Sequence, residues 1–254
     1  MELMGIDIGG SGIKGAVVDT HAGELVTDRH RIPTPKKATP DKVADVVAEL
    51  VEHFDWEGPI GCTFPGVVQH GVVHTAANVD DSWIEADAGS VFSKATGHQA
   101  IDVVNDADAA GLAEMSHGAG KGRLDTVLLL TLGTGIGSAL FTDGILVPNT
   151  ELGHLEVRGK EAEHRAAESV REDDDLSWHK WAKKLDEVLE TYQRLLNPSL
   201  IIIGGGVSKK SEKYLPRLER VTCEVIPAEL LNEAGIVGAA MAARGGAPKA
   251  GTGS

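Results

Sequence analysis

Read for the spacing of its apolar positions, the chain opens on a strand-like run, LMGIDIG, that enters a glycine loop, GGSGIKG, and leaves it on a second strand-like run, AVVD, before the turn-rich THAG. Residues 127–142, VLLLTLGTGIGSALFT, repeat this plan, with Gly133, Gly135, Ile136 and Ala139 at a constant offset from Gly10, Gly12, Ile13 and Ala16. Internal duplication of this kind predicts two related lobes, each with one glycine-looped hairpin, facing a cleft that holds the active site.

Between the hairpins, Thr39-Pro40 offers an N-cap and a proline at the first helical position. Val43, Val46, Val47, Leu50, Val51 and Phe54 then follow at helical spacing, which predicts a surface helix packed on one face. GPIGCTFPGVV reads as a buried strand ending at a Pro65-Gly66 turn, and IDVVND as a strand ending in two polar residues, with helix from Asp108 to His117. Ser177 is placed to cap the longest helix, whose Trp178, Trp181, Leu185, Val188, Leu189, Tyr192, Leu195 and Leu196 form one apolar stripe that Asn197-Pro198 ends. SLIIIGGGVS predicts a strand, a triple-glycine loop and a cap at Ser208. GIVGAAMAA predicts a last small-residue helix, and GGAPKAGTGS a disordered tail.

Composition narrows the class. A chain of 254 residues, 42% hydrophobic and 24% charged, is expected to be globular and to form two domains, and aromatics at 4% predict a mainly aliphatic core. The start, MELMGIDIGG, has no leader pattern, and no run approaches the roughly 20 apolar residues of a membrane span, so a cytoplasmic location without membrane contact is expected. Cys62 and Cys223 lack CxxC spacing, which indicates neither a zinc knuckle nor a disulfide. A net charge of -14 argues against general nucleic-acid binding, but charge is screened over about 8 Å at physiological salt, so a local basic patch could still hold an anion.

The string Gly10-x-Gly12-x-x-Gly15 matches a dinucleotide fingerprint, yet that motif needs a helix directly after the glycines, where AVVD reads as strand; a Walker loop is also absent. Two glycine-rich hairpin tips can instead bring backbone N–H groups up to a phosphate chain, with Gly9, Gly10, Ser11, Gly12 and Lys14 at the first and Gly133, Thr134 and Gly135 at the second. Gly205 and Gly206 of the third loop join them. The alternative is that these glycines only permit tight turns. Asp7, between apolar residues before the first loop, suits magnesium held through water, or a structural acceptor for loop donors. Asp106, after Asn105 at a strand end, is the candidate general base, the rival being a helix cap. Glu151 and His154, three residues apart in ELGH, suit the vicinal hydroxyls of a sugar, with a metal site or a structural histidine as rivals. REDDD at 171–175 reads as solvated charge.

Taken in order, DIGGSGIKG, FPGVV, NDADAA, TLGTGIGSAL, ELGH and LIIIGGGVS resemble the ROK family of bacterial sugar kinases and repressors over nearly the whole chain. TLGTGIGSALFTDG, DLSWHKWAKKLDEVLE and IIIGGGVSKK are most similar to its polyphosphate glucokinase branch, which includes polyphosphate/ATP glucomannokinases. The resemblance implies an α/β, two-domain, actin-like ATPase (ribonuclease H-like) fold with an interdomain cleft. Its lobes would span 1–108, completed by a C-terminal helix at 234–244, and 109–233, with 245–254 as the tail. It further implies Asp106 as catalytic base, Asn105, Glu151, His154 and Gly66 at the sugar, and the glycine loops at the phosphoryl donor. Glu168 in AAESV matches by position the glutamate that completes the family's sugar site, but the zinc-binding cysteine cluster around that glutamate in many members is missing, so no zinc is expected. The N-terminal helix-turn-helix extension of the family's repressors is missing as well.

The expectation is a homodimeric kinase that phosphorylates glucose, with mannose as a further candidate substrate, from polyphosphate and/or ATP with magnesium, closing its lobes on the sugar. Lys14, Lys121, Arg123, Lys209 and Lys210 are candidate partners for a polyanion. An ATP-only kinase for another hexose and a non-catalytic sugar sensor remain the alternatives.

Overall fold

In the computed structural model, which describes residues 1–76, 78–98 and 101–243, the two glycine-looped runs form antiparallel hairpins, and each starts a sheet of its own. The first sheet contains β1 (Glu2–Ile8), β2 (Ile13–Asp19), β3 (Glu24–Leu25), β4 (His30–Ile32), β5 (Ile60–Phe64) and, past a short β6–β7 ribbon (Val68–Gln69, Val72–Val73), β8 (Ile101–Asn105). Its order is β3-β2-β1-β5-β8, with β4 also pairing β2. The second sheet contains β9 (Val127–Leu132), β10 (Ile136–Thr142) and β11 (Ile145–Val147). After a second ribbon, β12–β13 (Glu156–Val157, Lys160–Glu161), it adds β14 (Leu200–Gly204) and β15 (Glu224–Pro227), in the order β11-β10-β9-β14-β15. In both, an antiparallel meander continues into two parallel strands, so the duplication read from the glycines is a duplication of sheet topology.

The chain divides into two compact units, Met1–Ala113 with the C-terminal segment from Glu233, and Glu114–Asn232. In the first unit, α1 (Pro40–His53) buries Val43, Val46, Val47, Leu50 and Val51, as its periodicity predicts. Thr39 stands at the N-cap without a side-chain hydrogen bond. Helix α2 (Ala88–Thr96) is capped by Asp87 and ends on left-handed Gly97. Helix α3 (Asp106–His117) begins two residues before the expected Asp108, because the Asn105 side chain already caps it, and its last residues belong to the second unit.

The second unit holds α4 (Ala162–Ala166), α5 (Glu168–Asp173) and the long α6 (Trp178–Leu196). Ser177 accepts from the Lys180 N–H, and Asn197 ends α6 in the left-handed conformation. The apolar stripe is core through Tyr192, whereas Leu195 is 63% exposed where the last turn outruns the packing. Ser208 does not cap a helix. It lies inside a 3₁₀ stretch, Gly206–Lys213, and donates to the Gly205 carbonyl.

The last helix, α7 (Ala234–Ala242), packs on β1 and β5 of the first sheet. A Cβ at Gly5 or Gly61 would overlap the carbonyl of Ile236 or Ala239, so these strands meet the helix backbone to backbone. The expected helix end at residue 244 and the tail at 245–254 lie outside the described residues. The few aromatics are more central than an aliphatic core implies: Phe64, Trp83 and Phe92 are fully buried in the first unit, and Phe141, Trp181, Tyr192 and Tyr214 in the second.

Candidate active site

In the first unit the strand register lines up three charged residues. Asp7 of β1 is opposite Lys14 of β2, and Lys14 is opposite Arg31 of β4, so the three side chains leave one face of the sheet in a row. Lys14 Nζ lies 3.1 Å from Asp7 Oδ2, and the Thr63 hydroxyl donates to Asp7 Oδ1 at 3.0 Å. Each Asp7 oxygen therefore already has one donor but keeps lone-pair capacity, which fits a metal-bound water and disfavours direct ligation. The loop between β1 and β2 closes by Gly9 N–H to Gly12 carbonyl, 3.2 Å. Arg31 Nη2 donates to the Ser11 carbonyl at 2.6 Å and Thr34 Oγ1 to the Gly9 carbonyl at 2.5 Å. A Cβ at Gly12 would collide with the Arg31 guanidinium.

Asp106 is the first residue of α3, at the carboxyl end of parallel strand β8, where α/β proteins commonly bind ligands. The helix-cap reading of Asn105-Asp106 holds for Asn105. Asn105, buried, is the cap: Oδ1 accepts from the Ala107 and Asp108 N–H groups at 2.9 and 3.0 Å, and Nδ2 donates to the Gly66 carbonyl at 3.1 Å. Asp106 is left half-buried in the first helical turn, with Oδ1 accepting from Ala107 N–H at 2.8 Å. The expected sugar residues Gly66 and Asn105 are thus joined to each other, next to Asp106 in the chain, and Asn105 has one amide N–H left over.

In the second unit the corresponding loop closes by Gly133 N–H to Gly135 carbonyl, 3.1 Å. Its outer brace is Ser169 at the start of α5, whose N–H donates to the Gly133 carbonyl at 3.1 Å and whose hydroxyl donates to the Thr134 carbonyl at 2.7 Å. Where Gly12 has a cation, Gly135 has an anion: a Cβ there would lie 2.5 Å from Glu163 Oε2, which also faces the Ile136 N–H at 3.5 Å. Gly205 has φ 83° and its missing Cβ leaves room for the Leu132 carbonyl, so the tight-turn reading holds for that glycine; Gly206 lies beside Glu168.

Glu151 and His154 flank a short 3₁₀ turn, with His154 Nε2 3.9 Å from Glu151 Oε2. Burial pushes the Glu151 carboxyl above its ordinary range, His154 opposes the shift and Glu163 adds to it. Glu168 is raised as well, by burial and then Glu172, with Lys210 and Arg171 pulling the other way. His154 Nδ1 also lies 3.4 Å from Glu161 Oε2, and His154, Glu161 and Glu163 bring ligand atoms within 4.8 Å of one another. That imidazole and two carboxylates could hold a divalent cation, so the metal rival for ELGH has a donor set in place of the missing cysteines.

Arg31, Thr63, Glu163 and Ser169 were not singled out in the sequence. Arg31 had a signal, the acid-free run from Arg29 to Lys37, and Glu163 had one in the alternation EAEH; Thr63 and Ser169 had none. Of the candidate polyanion partners, Lys14 pairs with Asp7, and Arg123 reaches Glu224 at 3.1 Å and Asp125 at 3.9 Å. Lys210 lies 5.8 Å from the Trp178 ring centre; Lys121 and Lys209 are exposed.

The ROK family model matches residues 3–167. The chain belongs to the ROK family. It is 56% identical to polyphosphate glucokinase of Mycobacterium tuberculosis over 94% of this chain and 89% of the relative. Its structure is similar to that of the inorganic polyphosphate/ATP-glucomannokinase of Arthrobacter sp. strain KM, with a TM-score of 0.91 and 50% identity over 95% of this chain and 98% of that one. A ROK family glucokinase from Streptomyces griseus, solved with glucose and AMPPNP, matches with a TM-score of 0.81 and 25% identity over 97% of this chain and 100% of that one. The sheets described above are accordingly those of the actin-like ATPase fold of ROK kinases.

Proposed function

We propose that this ROK protein is a glucokinase that makes glucose 6-phosphate, and also mannose 6-phosphate, from inorganic polyphosphate or ATP. The 56% identity to a polyphosphate glucokinase over nearly the whole chain carries this reading. Asp106 acts as general base: in the first turn of α3, beside the Asn105 cap, it orients the 6-hydroxyl and takes its proton as the oxygen attacks the terminal phosphorus, while the bond from that phosphorus to the donor's bridging oxygen breaks and ADP or the shortened polyphosphate leaves. Glu151 accepts from sugar hydroxyls, His154 donates or accepts at the neighbouring one, and Asn105, Gly66 and Glu168 complete the sugar contacts.

Backbone N–H groups of Gly10, Ser11 and Gly12, with Lys14, hold the donor phosphates, and Thr134, Gly135, Gly205 and Gly206 do so in the second unit; Gly9 and Gly133 shape the loops by closing them on the Gly12 and Gly135 carbonyls. Magnesium, when bound, neutralises charge on the transferring phosphoryl group. Asp7 would hold it through water, because its oxygens already serve Lys14 and Thr63. The protein acts as a homodimer in the cytoplasm; among the described residues no helix is long and apolar enough to cross a membrane.

The test is turnover of purified protein with magnesium, each of glucose and mannose paired with ATP and with polyphosphate, reading hexose 6-phosphate. Glucose binding without transfer from either donor would overturn the reading in favour of a sugar sensor. Asp106→Asn should lower kcat at least about 10²-fold while the glucose KM changes little; near-normal turnover would remove Asp106 from the base role.

A further inference from the structure

The segment after β3 carries Arg29, Arg31, Lys36 and Lys37 with no acidic residue between Asp28 and Asp41, in a chain whose net charge is -14. It runs along the first glycine loop as a strap. Its β4 part pairs with β2 through Ile32 to Ile13, Arg31 to Lys14 and His30 to Gly15. Arg31 and Thr34 then tie it to the Ser11 and Gly9 carbonyls at 2.6 and 2.5 Å. Pro33 and Pro35 fix two of its φ angles, which favours an extended course.

Three features make the strap a surface for a chain of phosphates. Two loop carbonyls are occupied by strap donors, so their negative ends are neutralised before an anion arrives. Lys14 is compensated by Asp7, whereas Arg31 and Lys36 form no ion pair among the described residues, and Lys37 is only partly balanced by Asp80. The strap also lacks a platform for a nucleobase, because its one ring, His30, is stacked on His53 at 3.9 Å. A nucleoside triphosphate ends its charge after three phosphates, but a polyphosphate continues it.

We propose that residues 29–37 are the track for the part of an inorganic polyphosphate chain lying beyond the phosphoryl group transferred, with Arg31 and Lys36 as its main cations and Lys37 beside them. This deepens, and rests on, the donor assigned above. Arg31 has two tasks, bracing the loop and meeting the anion, so the cleaner probe is the Lys36→Gln/Lys37→Gln double variant, whose side chains hold no loop atom.

The experiment compares wild type and this variant in two arms. In equilibrium titrations with long-chain polyphosphate in the absence of sugar, the variant should bind about tenfold more weakly and with a shallower dependence on salt. In steady-state assays its KM for polyphosphate should rise by a similar factor, while kcat and KM with ATP stay within about twofold. Equal polyphosphate binding by both proteins, or equal losses with ATP and polyphosphate, overturns the strap. Wild-type protein that binds polyphosphate through the strap but transfers nothing from it would overturn the donor reading and leave the binding site standing.

Discussion

The two glycine hairpins share topology and the Gly-x-Gly spacing, yet they differ in the side chain that fills the space beside the equivalent glycine. At Gly12 it is the Arg31 guanidinium, delivered by a strand of the same sheet; at Gly135 it is the Glu163 carboxylate, delivered by a short helix. Duplication thus produced two backbone cradles, and residues outside the hairpins gave them opposite electrostatics. The first is suited to an anion as it stands. The second has its N–H groups beside a carboxylate that would repel a bare phosphate, unless a cation intervenes. Glycine loops that look alike in sequence need not do equal work.

Reversing the charge at the first loop is the harshest way to break this asymmetry. Arg31→Glu should lower kcat/KM for polyphosphate about 100-fold, whereas Glu163→Gln should change it by no more than a few-fold. Steady-state kinetics on both variants decide it, and a larger loss for Glu163→Gln would invert the assignment.

Removing one brace from each loop is a milder test. Thr34→Val and Ser169→Ala each delete a hydroxyl bonded to a loop carbonyl, worth about 1 kcal/mol or roughly fivefold in kcat/KM for the donor. A loss in Thr34→Val alone would mean that only the first loop handles the donor.

The smallest expected effect is a shift in a pH profile. With Glu151 accepting from the sugar as proposed, glucose binding would need its carboxylate ionised, and that carboxyl is raised by burial, with His154 opposing and Glu163 adding to the shift. Affinity should be full above that raised value and fall as pH drops through it, with a midpoint above the usual carboxylate range. Glu163→Gln should move the midpoint down; calorimetric titration of glucose across pH would show whether it moves at all.

The parts of this molecule that could be read from sequence are those with a local or periodic signature. Helix α1 and the stripe of α6 follow from 3.6-residue spacing, and the paired sheets follow from glycines at a constant offset. IDVVND predicts a strand that carries Asp106 at its end, whereas Asp106 opens α3, because the Asn105 side chain caps the helix from the last strand position. The contrast between the loops was not readable. Arg31 meets Gly12 and Glu163 meets Gly135 across sequence gaps with no period to reveal them, and a missing Cβ says only that something is close, not its charge. His154 carries a metal alternative in ELGH, but its neighbours Glu161 and Glu163 have no spacing that marks them, since a cation site built of imidazole and carboxylates has no rule comparable to CxxC.

The backbone-close seat of α7 on β1 and β5 also sets an order of assembly. During synthesis, Glu114–Asn232 leaves the ribosome as an unbroken stretch that can pack at once. The older N-terminal strands must keep the groove over Gly5 and Gly61 open until Ala234–Ala242 has been made. The first part to be translated is the last to be finished, so loss of even a short C-terminal piece would leave the earliest strands without their cover.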